Sequence, residues 1–210
     1  MDALRCDMAE KKAVAGDECS GAFESLHFRE SPRIEAVLGR SGLPETEVFA
    51  ARCDADGVPV VRRSSGGGTV LTGPGCLVYS LIFDRRHRPE MNGIDAIHNA
   101  VLRRITAALR PHTTAAIRCE GTCDLTLIDY EKMPVASHKF SGNAVRLRTH
   151  TILYHGTILY DFPLERMAWY LQEPLRRPDY RADRTHADFL VNFPASRDTI
   201  IRAITEAFCK

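Results

Sequence analysis

Two short stretches hold the residues of this 210-residue sequence best suited to chemistry. The first is Arg62-Arg63-Ser64-Ser65-Gly66-Gly67-Gly68-Thr69. Three adjacent glycines are poor helix or strand material, because each gives up a large share of backbone freedom on folding. They suit a place where backbone must approach a ligand closely and turn successive N–H groups toward anionic oxygens. The two arginines just upstream add charge and forked donors matched to phosphate. A surface turn with solvated arginines uses the same residues, so this cluster alone leaves both readings open. The second stretch is Lys139-Phe140-Ser141-Gly142-Asn143-Ala144, followed by Arg146 and Arg148. A lysine beside a small-residue turn can set its ammonium against a carboxylate or an α-phosphate. A solvated lysine in a hairpin loop is the alternative.

The elements that must position these residues can be read from pattern. Val58 to Val61 is a short apolar run leading into the glycines, and Cys76 to Phe83 reads as a buried strand rich in β-formers. Apolar residues at 94, 97, 101, 105 and 109 predict a helix from about Gly93 to Leu109, stopped by Pro111. Asp124 to Ile128 reads as another strand, and Thr151 to Tyr160 as two short β runs split by His155-Gly156. Pro163 opens a helix to about Leu171, and Ser196 to Phe208 shows one apolar helical face. Strands and helices mix without strict βαβ alternation, which predicts an α+β fold with a mainly antiparallel sheet and flanking helices.

Composition narrows the function classes. A chain with 44% apolar and 26% charged residues is an ordinary globular domain, not a disordered tail or coiled coil. A net charge of +1 gives no global attraction to nucleic acid or to a membrane surface. No apolar run reaches the roughly 18–20 residues of a membrane span. The Arg85-Arg86-His87-Arg88 run reads as a solvated loop rather than a nucleic-acid contact. Seven cysteines without a CxxC pair, and a start (MDALRCDMAEKKAVAGDE) lacking an apolar core, point to a reducing, cytoplasmic setting. The Cys119/Cys123 spacing lacks partner ligands, so no metal site is expected.

Taken together the two stretches resemble the lipoate-protein ligase A family. RRSSGGGTVLTGPGCLVYSL (62–81) is similar to its RR-x-SGGG signature followed by a strand. HKFSGNAVR (138–146) with ILYHGTILYDF (152–162) is similar to its second signature, K-[IF]-SG-x-A-x-R followed by HG-[ST]-[IL]-L. Asp124-Leu125 matches the Asp-Leu pair before the family lysine, and Val37-Leu38-Gly39-Arg40 its LGR element; the similarity runs from about Glu35 to Phe193. The resemblance implies the fold of biotin protein ligases and octanoyltransferases, related to the core of class II aminoacyl-tRNA synthetases. The polar, weakly patterned start reads as an arm over residues 1–25, and the resemblance implies one catalytic domain over 26–210.

The implied reaction activates lipoate or octanoate with ATP and Mg2+ to an acyl-AMP, then passes the acyl group to a carrier lysine. Arg63, Gly67, Gly68, Thr69, Val70 and Leu71 match the nucleotide-contacting run, and Lys139 the lysine between acyl carbonyl and phosphate. Asp124 is implied to orient the nucleotide or metal, or to prepare the incoming amine. Arg62, Ser65, Ser141, His155 and Gly156 are implied at the substrate, the last two at the acyl pocket. An apolar tunnel is expected between parts of 70–81 and 152–159.

The sequence departs from the family pattern at several places. Gly16-Asp17-Glu18 is a degenerate form of an LDE-type run; Val78 and Val145 stand where Asn and Gln are common, and Thr72 where His is common. The family's pattern often includes an extra C-terminal domain, for which a sequence ending near Lys210 has no room, so a separate accessory subunit is expected, or acyl transfer alone. The expected carrier is a lipoyl domain of a 2-oxoacid dehydrogenase subunit or a glycine cleavage H protein. A second reading follows from Cys119-Glu120-Gly121-Thr122-Cys123-Asp124-Leu125, which resembles the C-P-G-S-x-D-L run of ATP-independent octanoyltransferases and makes Cys119 the nucleophile. A third is a non-catalytic acyl- or nucleotide-binding subunit.

Overall fold

The structure, a computed structural model, describes residues 25–131, 135–174 and 177–208. Apart from Ser25, the polar arm expected over 1–25 lies outside the described residues, as does Gly16-Asp17-Glu18. A six-stranded antiparallel sheet forms the centre, in the order β1 (Ser25–Arg29), β5 (Cys76–Asp84), β9 (Thr151–Leu159), β8 (Ser137–Leu147), β7 (Asp124–Ile128) and β6 (Ala116–Glu120). A three-stranded sheet, β3 (Val60–Arg62), β2 (Glu35–Leu38) and β4 (Val70–Thr72), pairs β2 parallel to β3 and antiparallel to β4. Six α-helices complete the described residues: α1 (Pro44–Glu47), α2 (Ala50–Ala55), α3 (Ile94–Leu109), α4 (Glu165–Tyr170), α5 (His186–Phe189) and α6 (Arg197–Phe208). The α+β class and the antiparallel bias are as the pattern predicts.

The two faces of the large sheet have different neighbours. Tyr79, Leu81, Leu125, Tyr154 and Ile158 point to one face and join Ile97, Val101 and Ile105 of α3 and Ile200 and Ile204 of α6 in the main core. The helices bury these residues at three- and four-residue spacing because that spacing returns to one side of a helix. On the other face, Cys76 and Leu159 at one end of β5 and β9 meet Ala36, Leu71, Val48 and Met167 beneath the small sheet. Between these covers, Val78, Ser80, Ala144, His155 and Thr157 remain half-buried on that second face. This gap is the cleft.

Three local expectations change. β9 is one unbroken strand, because Gly156 leaves room for Asn143 Oδ1 and the Tyr79 hydroxyl on the neighbouring strands. Lys139 to Gly142 does not turn but runs inside β8, with a register shift opposite Leu125/Thr126. The Arg85–His87 run is a 3-10 turn rather than an open loop; Arg86 pairs with Asp84, and Arg88 lies over the Phe83 ring at 5.7 Å.

Gly75 joins the small sheet to the large one. It sits at φ +85°, donates to Glu30 Oε1 at 2.9 Å, and accepts from the N–H groups of Tyr160 and Asp161. A Cβ there would run into the Asp161 carbonyl. Gly75→Ala is therefore expected to destabilise the fold by about 2 kcal/mol or more in urea unfolding, from the positive φ and the collision combined; a loss near zero would mean the junction is slack.

Candidate functional site

The glycine stretch is fastened by its carbonyls. Arg63 Nη2 donates to the carbonyls of Gly66 and Gly68, both at 2.8 Å, Nη1 to Val37 at 3.1 Å, and Nε to Gly66 and Ser65 Oγ, both at 3.2 Å. Arg62 Nη1 donates to the carbonyls of Gly39, Arg40 and Gly42 at 2.7–3.0 Å. Both arginines, expected to face phosphate directly, thus serve as staples for the two loops. Gly39 packs so closely under the Gly67 carbonyl that a Cβ would collide with it. With the carbonyls drawn back, no N–H of Gly66, Gly67 or Gly68 makes a hydrogen bond among the described residues. Three successive exposed amides are left to receive an anion.

Past the glycines the chain is tied again. Thr69 donates its N–H to Glu47 Oε2 at 3.1 Å, and its hydroxyl also donates to that oxygen. Val70 and Leu71 follow in β4, an edge strand of the small sheet; Leu71 is buried in the core beneath it. Only Val70 and the backbone of this pair can meet a ligand.

Lys139 stands on the cleft face. Its Nζ lies 2.8 Å from Asp124 Oδ1, and the Tyr180 hydroxyl donates to Asp124 Oδ2 at 2.7 Å. The stem passes over Gly142, where an added Cβ would meet Lys139 Cε and Nζ at 3.0 Å. Asp124 is thereby held from two sides, and it in turn fixes the ammonium. Burial first, and the Asp124 charge next, push the Tyr180 hydroxyl well up, so it stays a donor. Sequence reasoning missed Tyr180. It comes from a 3-10 turn at Asp179–Arg181 more than fifty positions from Asp124, and no spacing signal marks it.

The two stretches meet at His155. Its Nε2 is 2.6 Å from Ser65 Oγ, and in register it pairs with Ala144, two residues from Gly142. Adjacent strands lie about 5 Å apart and alternate residues about 7 Å, so the backbone of His155, which Ser65 touches, lies within roughly 10 Å of Gly142, over which the Lys139 stem passes. The charges agree. Burial, then the Arg63 cation, lowers the His155 imidazole to about 4, so the ring is neutral at pH 7. Burial and Asp124 push the Cys123 thiol up to about 11, against the opposing influence of Lys139, an Asn143 backbone bond and Arg63.

Other expected residues lie elsewhere. Ser141 and Gly156 are on the helix-packed face: Ser141 is buried, accepting from Asn143 Nδ2 at 3.3 Å, and Gly156 makes room for the Tyr79–Asn143 hydrogen bond. They support the sheet from behind rather than line the cleft. Cys119 is paired with Leu125 on β6, on the side of Thr106 of α3, and burial raises its thiol. Neither cysteine stands as a thiolate on the cleft face.

The family model described as the lipoyl protein ligase A/B catalytic domain matches residues 18–208. Among solved structures, one from Thermoplasma acidophilum, described as a bi-partite lipoate protein ligase and its E2 lipoyl domain, aligns over 97% of this chain and 77% of its own, with TM-score 0.73 and 18% identity. A lipoate-protein ligase A bound with ATP aligns over 87% of this chain and 70% of its own (TM-score 0.67, 20% identity). A P. falciparum protein in complex with lipoate aligns over 97% of this chain and 55% of its own (TM-score 0.68, 18% identity). At these identities the likeness is one of fold.

A neutral His155 makes stability depend on pH. Its folded pKa lies below the unfolded value near 6.5, so the unfolded chain takes up the proton first. The contribution is complete above about 6.5 and is lost as pH falls toward about 4, with a slope of at most about 1.4 kcal/mol per pH unit. Urea unfolding from pH 7 to 4.5 is expected to show a shallower decline for His155→Gln than for wild type. Equal slopes would mean the imidazole is already solvated when folded.

Proposed function

The chain belongs to the lipoyl protein ligase A/B catalytic-domain family, and on that premise we propose that it activates lipoate or octanoate with ATP and transfers the acyl group to a lysine of a lipoyl carrier domain. The observation that carries this reading is three free backbone amides, at Gly66, Gly67 and Gly68, next to Ser65, whose hydroxyl meets His155 on the sheet face that carries the Lys139 ammonium. Joining a carboxylate to a triphosphate brings like charges together, so the main demands are positioning and charge stabilisation.

In this reading the acid's carboxylate oxygen attacks the α-phosphorus of ATP, pyrophosphate leaves, and an acyl-AMP forms. The amides of 66–68 take phosphate oxygens. Lys139 spans the acyl carbonyl and the α-phosphate, stabilising charge that grows on both sides of the anhydride. The carrier lysine then attacks the carbonyl carbon and AMP departs. Val78, Ser80, Ala144 and Thr157 form the floor around His155, where an acyl chain can lie. Among the described residues no cluster of three or more His, Cys, Asp or Glu could hold a metal ion. Mg2+ would enter with the nucleotide, as MgATP.

The relatives support the substrate class: one is described with an E2 lipoyl domain, one with ATP and one with lipoate. The bi-partite description also suits a separate accessory subunit. Transfer through Cys119 is disfavoured by its place across the sheet from Lys139. No helix among the described residues is long and apolar enough to cross a membrane.

ATP–pyrophosphate exchange tests the reading. Exchange is expected with lipoate or octanoate, reduced about 100-fold or more in Lys139→Ala without loss of fold. ATP-independent transfer from an octanoyl carrier, abolished in Cys119→Ser, would falsify it. Gly142→Ala is expected to lower the exchange rate about tenfold or more at near-wild-type stability, because the flexible lysine end must give way to the new methyl. Full activity would show that the ammonium does not work from its position over Gly142.

A further inference from the structure

Glu47 has no place in the motifs, yet its carboxylate is bonded on every side. Oε2 accepts from the Thr69 N–H and hydroxyl, and Oε1 from the Leu43 N–H at 3.0 Å. Buried Gly42 leaves the carboxylate its room: a Cβ there would stand 2.7 Å from Oε1. The backbone carbonyl of Glu47 accepts from Gln172 N at 3.1 Å, and Gln172 Nε2 donates to the carbonyls of Glu45 and Val48, both at 2.9 Å. The residue is anchored in α1, and α1 is anchored to the chain leaving α4.

Thr69 is the first residue after the free amides. Three glycines between two anchors hold their shape only if both ends are fixed, since a glycine ribbon otherwise samples many conformers and a ligand would have to order it. Arg63 fixes the near end and the carbonyls. At the far end the tether is the Glu47 carboxylate.

We propose that Glu47 is a positioning residue for nucleotide binding, locking Thr69 so that the amides of Gly66–Gly68 are presented to phosphate. This rests on the adenylation reading. It also changes the part of Thr69: its N–H is spent on Glu47, and the phosphate donors are the three amides before it. A carboxylate so near an anion site could instead compete with phosphate. The Leu43 N–H and the cradle at Gly42 hold it in place independently of Thr69, which makes it a fixture rather than a stand-in for ligand.

The two roles predict opposite signs. Glu47→Ala is expected to raise the KM for ATP about tenfold with kcat within about twofold. Glu47→Gln, keeping one accepting oxygen, should fall between. Thr69→Val should raise the KM in the same direction and be non-additive with Glu47→Ala. Amide hydrogen exchange at Thr69 should speed up at least about tenfold in Glu47→Ala, while the global unfolding midpoint moves little. A lowered KM, an unchanged KM, additive effects, or an unchanged Thr69 exchange rate would each overturn the proposal. If the wild-type protein shows no exchange activity, the functional reading fails, and the claim about the loop is still decided by Thr69 amide exchange.

Discussion

A flexible backbone can serve as an anion site only if its carbonyls are turned away and its shape is set before the ligand arrives. Both conditions are met here by side chains outside the glycines. One guanidinium, Arg63, draws back the carbonyls of Gly66 and Gly68, and a carboxylate, Glu47, holds Thr69. The ordering entropy of the loop is thus met during folding instead of during binding. Arg63 still contributes its charge from behind the loop; burial first, and that charge next, keep His155 neutral beside it.

The large sheet has two tasks, one for each face. The helix-packed face supplies most of the buried apolar residues and carries the Tyr79–Asn143–Cys123 polar links that lock the middle strands. The other face keeps Lys139, Asp124 and His155 in one plane. What sorts residues between faces is the register shift in β8 opposite Leu125/Thr126. Strict alternation would put Lys139 on the same side as Ser141 and Asn143. The extra residue turns it to the side of Gly142 and Ala144, and hence to the glycine loop.

This shift also marks the limit of what could be read from residues alone. The strands at 76–84 and 124–128 and the helices at 94–109 and 197–208 were legible because apolar spacing over a long segment survives any tertiary context. The two functional stretches were legible as words. Which side of the sheet each letter faces was not, because a single bulge inverts the assignment for Ser141, and Gly156 differs from His155 by one position. In sequence the arginine pair suits phosphate, because guanidinium matches phosphate; that the same forks hold carbonyls shows only in the fold. Tyr180 and Glu47 come from distant segments, and long-range contacts leave no local pattern.

The most direct measurement is a crystal structure with a non-hydrolysable acyl-adenylate analogue, such as an acyl sulfamoyl adenosine. The linker replacing the α-phosphate is predicted to lie between Lys139 Nζ and the amides of Gly66–Gly68, with the acyl chain running over Val78 toward Thr157. An analogue bound away from Lys139, or with side chains of Arg62 and Arg63 swung out of their carbonyl bonds to grip it, would contradict the arrangement.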